Sequence, residues 1–281
     1  MSSRKSFTGN TASIPLNSGR EIISENRNRC RVLVYHKVDP KAELGLTCVH
    51  PDTFEKQIAF LTSEGYQLVT LSDLRLNGNN KRIAICFDDG YQDVYDYAFP
   101  VLQKYSAVAT VFIIVDYIGK DNTWDVNIGG IRYRHLDEDS IHKLVESGWE
   151  IGSHSMSHRP QRFTGRREME FELGQSKKIL ETKFKQIVTA YAPPFGIVTR
   201  CIYDYAFSAG YQNICGFFPF RYYAASKPKK SEILRLAVYR TDSLASIKRK
   251  LSEGNNLYCE VLKQNVVNFC SNATLAVNSL R

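Results

Sequence analysis

A chain of 281 residues with 43% hydrophobic, 12% aromatic and 23% charged side chains has the make-up of an ordinary globular protein, which excludes a largely disordered chain. Its formal charge of +8 is scattered and comes with no nucleic-acid-binding module, so it reads as a solvated surface that would also suit an anionic substrate carrier, such as a phospholipid or a diphosphate-linked sugar at a membrane. The 7 cysteines are widely spaced with no C-x-x-C pair, which fits a reducing compartment, and no apolar run reaches the length of a transmembrane span.

Residues 1–28 are polar and read as a flexible N-terminal arm. Met1 is followed by no apolar stretch of the signal-peptide kind, so the expected location is cytoplasmic. Arg31 to His36 is a short apolar run ending in a polar group, the pattern of a buried strand. Asp52-Thr-Phe-Glu55 has the form of a capping box, opening a helix in which Phe54, Ile58 and Leu61 recur at helical spacing and Gly65 is the stop. Strands are expected over 66–70, 82–87 and 109–115, with a helix over 101–105 whose first turn carries Pro100. Asp137 caps a helix through Val145, and a strand over 149–152 follows. The longest helical pattern, 167–184, leads to a strand over 187–192, a helix over 200–208, strands over 211–215 and 233–238, and a helix over 242–251. Residues 29–252 thus read as one catalytic domain, and 253–281 as a partly helical C-terminal tail.

Strands alternating with helices imply right-handed crossovers and a mostly parallel sheet, closed as a barrel or open and doubly wound. His36, the pair Asp88 and Asp89, His154, and Pro194 with Phe195 each fall just beyond the C-terminal end of an expected strand. In α/β barrels catalytic groups converge on that face.

Phe87-Asp88-Asp89-Gly90 sets two carboxylates side by side at a strand end, so one can bind a metal while the other remains free to take a proton. Alone, the same residues would read as a turn. His154-Ser-Met-Ser-His158 has the spacing that lets two imidazoles reach one ion, and Ser155 excludes the metalloprotease pattern with glutamate at that position. One carboxylate and two imidazoles leave coordination positions open, as catalytic zinc and non-haem iron sites both do. The second carboxylate favours hydrolysis, which needs a base beside the metal, over oxygen activation.

These residues resemble the polysaccharide deacetylase family, carbohydrate esterase family 4 or the NodB homology family. Phe87 to Gly90 is similar to its first motif, His154 to His158 to its second, and Ala192-Pro-Pro-Phe-Gly196 to its third, across roughly residues 31–251. The resemblance implies a distorted (β/α) barrel of about seven parallel strands. It further implies Asp88 as general base, Asp89, His154 and His158 as ligands of a divalent metal, zinc first, and Pro194 with Phe195 as acetyl-pocket wall and oxyanion donor. The implied reaction is hydrolysis of the N-acetyl group of an N-acetylhexosamine in a polysaccharide, oligosaccharide or lipid-linked saccharide. Two positions depart from the pattern. Ala192 stands where an arginine usually orients the catalytic aspartate, and no histidine follows His158 to supply the usual C-terminal acid. Tyr35-His36-Lys37-Val38 instead resembles the circularly permuted poly-N-acetylglucosamine deacetylases, which makes His36 the candidate acid. Arg132 and Arg134 are candidates to replace the missing arginine. Asp242 is a candidate to tune His36, although its position suits an N-cap of the last barrel helix better. The competing reading is a metal-containing carbohydrate-binding protein that has lost turnover.

Overall fold

The computed structural model describes residues 31–41, 45–76, 81–124, 132–161, 164–219 and 231–278; the N-terminal arm lies outside them. Seven parallel strands close into a ring: β1 (Val32–Tyr35), β5 (Arg82–Phe87), β6 (Thr110–Ile113), β7 (Glu150–Ser153), β8 (Ala190–Tyr191), β9 (Asn213–Phe217) and β10 (Glu232–Ala237). Closure comes from β1, which pairs with β5 on one side (Leu33 opposite Ile85) and β10 on the other (Leu33 opposite Leu236). Strand β4 (Gln67–Val69) extends the sheet beside the first half of β5, and β2 (Lys37–Val38) pairs with β3 (Cys48–Val49) as a separate two-stranded piece. Neither β2 nor β3 is legible in the sequence, because two residues are too few to show a period.

Both faces of the ring are covered, so its strands are mostly apolar on both faces rather than alternating. Leu33, Tyr35, Ile83, Ile85 and Phe87 pack outward against helices, while Val32, Val34, Ala84, Cys86, Ala190, Ala192 and Cys215 face the interior with Phe112. Small inward side chains such as Ala84, Ala190 and Ala192 make room for the Phe112 ring. Gly152 is required beside it, because a Cβ there would lie 2.4 Å from the Phe112 ring.

The helices are α1 (Pro51–Ser63), α2 (Leu71–Leu76), α3 (Phe99–Lys104), α4 (Glu138–Glu146), α5 (Arg166–Phe184), α6 (Arg200–Ser208), α7 (Leu244–Lys250) and α8 (Asn255–Asn278). Asp137 caps α4 as expected, its side chain accepting from Ser140 N. The expected capping box of α1 is corrected: the N-cap is His50, whose Nδ1 accepts from Asp52 N at 3.2 Å. Helix α3 follows a π-helical turn over Val94–Ala98, so the helical segment starts earlier than Pro100 suggests. Helix α2, not foreseen, closes the N-terminal mouth. Leu71 enters the interior, and Ser72 donates from N and Oγ to the buried Glu150, which also accepts from Thr110 and Thr189. Four hydrogen bonds satisfy a carboxylate that would otherwise be costly to bury.

Asp242 is not the N-cap of α7, and this corrects the expectation: Ser243 caps it, accepting from Ser246 N. Asp242 is instead fully buried, accepts from Tyr239 N, and meets Lys250 at 3.3 Å and Lys263 at 2.5 Å, with Glu260 at 2.9 Å from Lys250. This cluster ties the loop after β10 to α7 and α8. Helix α8 lies against β10, where the Gln264 side chain accepts from Ala237 N at 2.6 Å. Among the described residues no helix is long and apolar enough to cross a membrane.

Candidate metal centre and active site

Strand β5 delivers both aspartates. Asp88 N still donates to Tyr35 O at 3.0 Å, continuing the pairing with β1, whereas Asp89 turns into the left-handed region with φ of 68°. That change of hand sends the two side chains in different directions, and aspartate tolerates it better than most residues. Gly90 follows at φ of 65°, with Ile113 so close that a side chain would crowd it.

Asp89 Oδ1 lies 3.1 Å from His154 Nε2 and 3.3 Å from His158 Nε2. The three donor atoms lie within 4.8 Å of one another, and all three residues are buried. His154 Nδ1–H donates to Ala192 O at 2.7 Å, which turns Nε2 toward the carboxylate; burial acts to lower the pKa of this imidazole, but its bond to Asp89 raises it, so a proton holds the place between the two groups that a cation would take. Two lone pairs face each other stably only across a proton or a cation, so the donor set fits a divalent metal.

The loop carrying both histidines is pinned from α5. Glu172 accepts from Met156 N, Ser157 N and Ser157 Oγ, and Ser155 Oγ accepts from His158 N. The Trp124 ring covers His158 at 3.7 Å, and His135 Nδ1–H donates to the Asp89 carbonyl at 2.8 Å. Burial pushes the His158 imidazole down to about 4, so the ring is neutral near neutral pH and could offer a nitrogen lone pair to a metal. For Asp89, burial acts to raise the pKa, but hydrogen bonding from His154 and His158 holds it well below the usual carboxylate range.

Asp88 is not among these ligands. Its two oxygens accept from Arg235 Nη1 and Nη2 at 2.8 and 3.0 Å, a bidentate pair with both side chains buried. The guanidinium lies inside the ring between Phe112 and Phe217, 5.0 and 5.3 Å from their centroids. Burial opposes ionisation of Asp88, yet Arg235 first, then His154 and His36, keep its pKa below the ordinary value. Arg235 therefore stands against Asp88 where Ala192 cannot. This corrects the expectation for Arg132 and Arg134, which are both exposed and make no contact with Asp88. The one sequence signal for Arg235 was a lone charge amid Ile233-Leu-Arg-Leu-Ala237, since a charge inside a buried strand requires a partner.

His36 follows β1 and is half-buried on the same face, near enough to Asp88 and Asp89 to favour their charged forms; its Nδ1 has no hydrogen-bond partner. Asp242 does not touch it, and is occupied by Tyr239, Lys250 and Lys263. Pro194 is buried, and Phe195, held at φ of 63°, lies with its ring 5.0 Å from that of His158. Gly196 must remain glycine, because a Cβ would fall 2.1 Å from the Phe217 ring. His36 and Phe195 together flank a cavity of about 100 Å³.

Comparison with known proteins now has a geometry to rest on. A family model described as polysaccharide deacetylase matches residues 75–214, which include the two aspartates, both histidines and Phe195 but neither His36 nor Arg235. YxkH of Bacillus subtilis, named for the same family, is 29% identical over 197 residues, 68% of this chain and 65% of that one. The poly-β-1,6-N-acetyl-D-glucosamine N-deacetylase of Staphylococcus epidermidis is 28% identical over 158 residues, 50% of this chain and 52% of that protein. The chain thus spans between half and two thirds of the length of these curated relatives. A polysaccharide deacetylase structure from Bacillus cereus superposes with a TM-score of 0.66 at 27% identity, covering 80% of this chain and 69% of that one. IcaB from Ammonifex degensii, at a TM-score of 0.65 and 21% identity over 80% of this chain and 97% of that one, shares the fold.

Proposed function

The chain belongs to the polysaccharide deacetylase family, and from that premise we propose that it is a metal-dependent N-deacetylase. Its proposed substrate is an N-acetylhexosamine unit of a polysaccharide, oligosaccharide or lipid-linked saccharide. The observation that carries this reading is a division of labour between neighbouring carboxylates: Asp89 converges with His154 and His158, while Asp88 is held apart by Arg235. A binding protein needs the first arrangement only. Hydrolysis also needs the second.

Asp89, His154 and His158 would hold the ion, zinc first, which when bound acts as a Lewis acid on the amide carbonyl and lets water give up a proton near neutral pH. Asp88 takes that proton, its carboxylate oriented by the two Arg235 N–H groups. The Phe195 N–H, presented by a left-handed backbone, donates to the oxygen on which negative charge develops. His36, just after the strand that pairs with the one carrying Asp88, protonates the departing sugar amine, a poor leaving group until it is neutralised in this way. The similarity to the Staphylococcus epidermidis enzyme supports an N-acetylglucosamine-type unit. The reading as a binding protein without turnover rested on Ala192, and Arg235 takes that ground away.

Acetate release from N-acetylated chito-oligosaccharides is expected to stop on chelation and return with zinc. Asp88→Asn should retain the ion and lose about 10²–10⁴ in kcat, whereas Asp89→Ala, His154→Ala and His158→Ala should each lose the ion. Full metal occupancy and activity in His158→Ala would falsify the site. His36→Ala should keep the ion and lose about 10²–10⁴ in kcat on the amide, but much less on an activated aryl acetate, whose leaving group departs unprotonated. Equal losses on the two substrates would reassign His36 to a structural part.

A further inference from the structure

The cavity between His36 and Phe195 is bounded in part by α8, a helix outside the segment shared with the family model. Its walls include Phe217, Tyr239, Val267 and Asn268 beside those two residues, and its volume is about 100 Å³. That is less than the roughly 150 Å³ that takes a benzene ring, so the cavity, which is partly open to solvent, does not enclose a hexose with its hydroxyls. Three substituents surround the carbonyl carbon of an N-acyl sugar. The sugar amine must leave toward open solvent because of its size, and the oxygen must face the metal ligands and the Phe195 N–H. The alkyl end of the acyl group is then the part left to enter the cavity.

The far wall is also stiff. Gln264, fully buried, accepts from Ala237 N, and Asn265 Nδ2 donates to Phe218 O at 3.0 Å, so the turn of α8 before Val267 and Asn268 is fastened to the ends of β9 and β10. The half-buried pair Asp242–Lys263 and the buried pair Lys250–Glu260 fix the same helix about one and two turns before Val267. A wall fastened to the ring cannot retreat cheaply from a longer chain.

We propose that Val267 and Asn268 determine the acyl length this site accepts and restrict it to acetyl. The inference rests on the deacetylase reading and adds to it a specificity element from outside the family's motifs. Each further methylene placed against the wall of a hydrophobic pocket is worth about 10–200-fold in discrimination. The full-length zinc-loaded protein should therefore favour N-acetyl over N-butyryl chito-oligosaccharide by at least about tenfold in kcat/KM.

The decisive comparison is the ratio of N-butyryl to N-acetyl kcat/KM, which cancels any loss of folded protein. Val267→Ala and Asn268→Ala should each raise it about tenfold or more, and Val267→Leu should lower the N-propionyl to N-acetyl ratio. Val266→Ala, at a position 55% exposed on the same helix, should leave both ratios unchanged. Ratios unmoved in all three cavity variants, with acetate still released, would overturn this proposal and spare the deacetylase reading. No acetate released by the unaltered protein on any substrate would overturn both.

Discussion

Removing the Arg235 guanidinium while Asp88 stays ionised strands a carboxylate that is 3% exposed inside a closed ring. Breaking a buried pair on one side costs about 3–5 kcal/mol, most of it from the charge left behind. Arg235→Met should therefore lower stability by about that amount in urea denaturation, whereas Asp88→Asn with Arg235→Met should recover a large part of the loss. Strictly additive losses would mean that the two side chains are not energetically coupled. The single Arg235→Met variant should also lose turnover while binding zinc, since it removes the group that aims the base and no ligand. At this scale Asp88, Asp89, His154, His158 and His36 were legible, because carboxylate and imidazole chemistry leaves a local pattern at strand ends. Arg235, His135 and Glu172 were not, since each acts on a partner distant in sequence and none carries a motif of its own.

Among the elements, the loop from His154 to His158 depends most on support from elsewhere. Ser155 and His158 both have positive φ, a strained conformation that persists only where the surroundings over-determine it. Glu172 on α5 provides much of that constraint through its bonds to Met156 and Ser157. Glu172→Ala is expected to weaken zinc binding about 10–100-fold in a competition titration, with the fold retained by far-UV circular dichroism. Unchanged affinity would show that the histidines keep their positions without α5. Strand β5 and helix α6 match the sequence reading at both ends, because a buried β-branched run and a Thr-capped amphipathic stretch are strong local signals. Helix α2 and the β2–β3 pair escaped notice because they are short and take their form from what they cover, here the N-terminal mouth and the loop after His36.

For the whole molecule, a site that exists only in the folded ring links metal to stability. Zinc free at 100 times its dissociation constant should add about 2.7 kcal/mol, visible in calorimetry as a Tm rise of about 5–10 °C for a protein of this size. His158→Ala should show no such rise and Asp88→Asn should show it in full. The closure of β1 against both β5 and β10 has one more consequence. A closed ring works like a dial, on which each side chain has a bearing toward the centre that is independent of when the ribosome made it. An arginine missing at the bearing of β8 is replaced from the bearing of β10, two positions round, and the imidazole that faces the aspartates comes from β1, next along. Scored along a line, this chain has a gap in one motif and lacks another. Scored around the dial, Arg235 and His36 stand at the bearings that the line leaves empty.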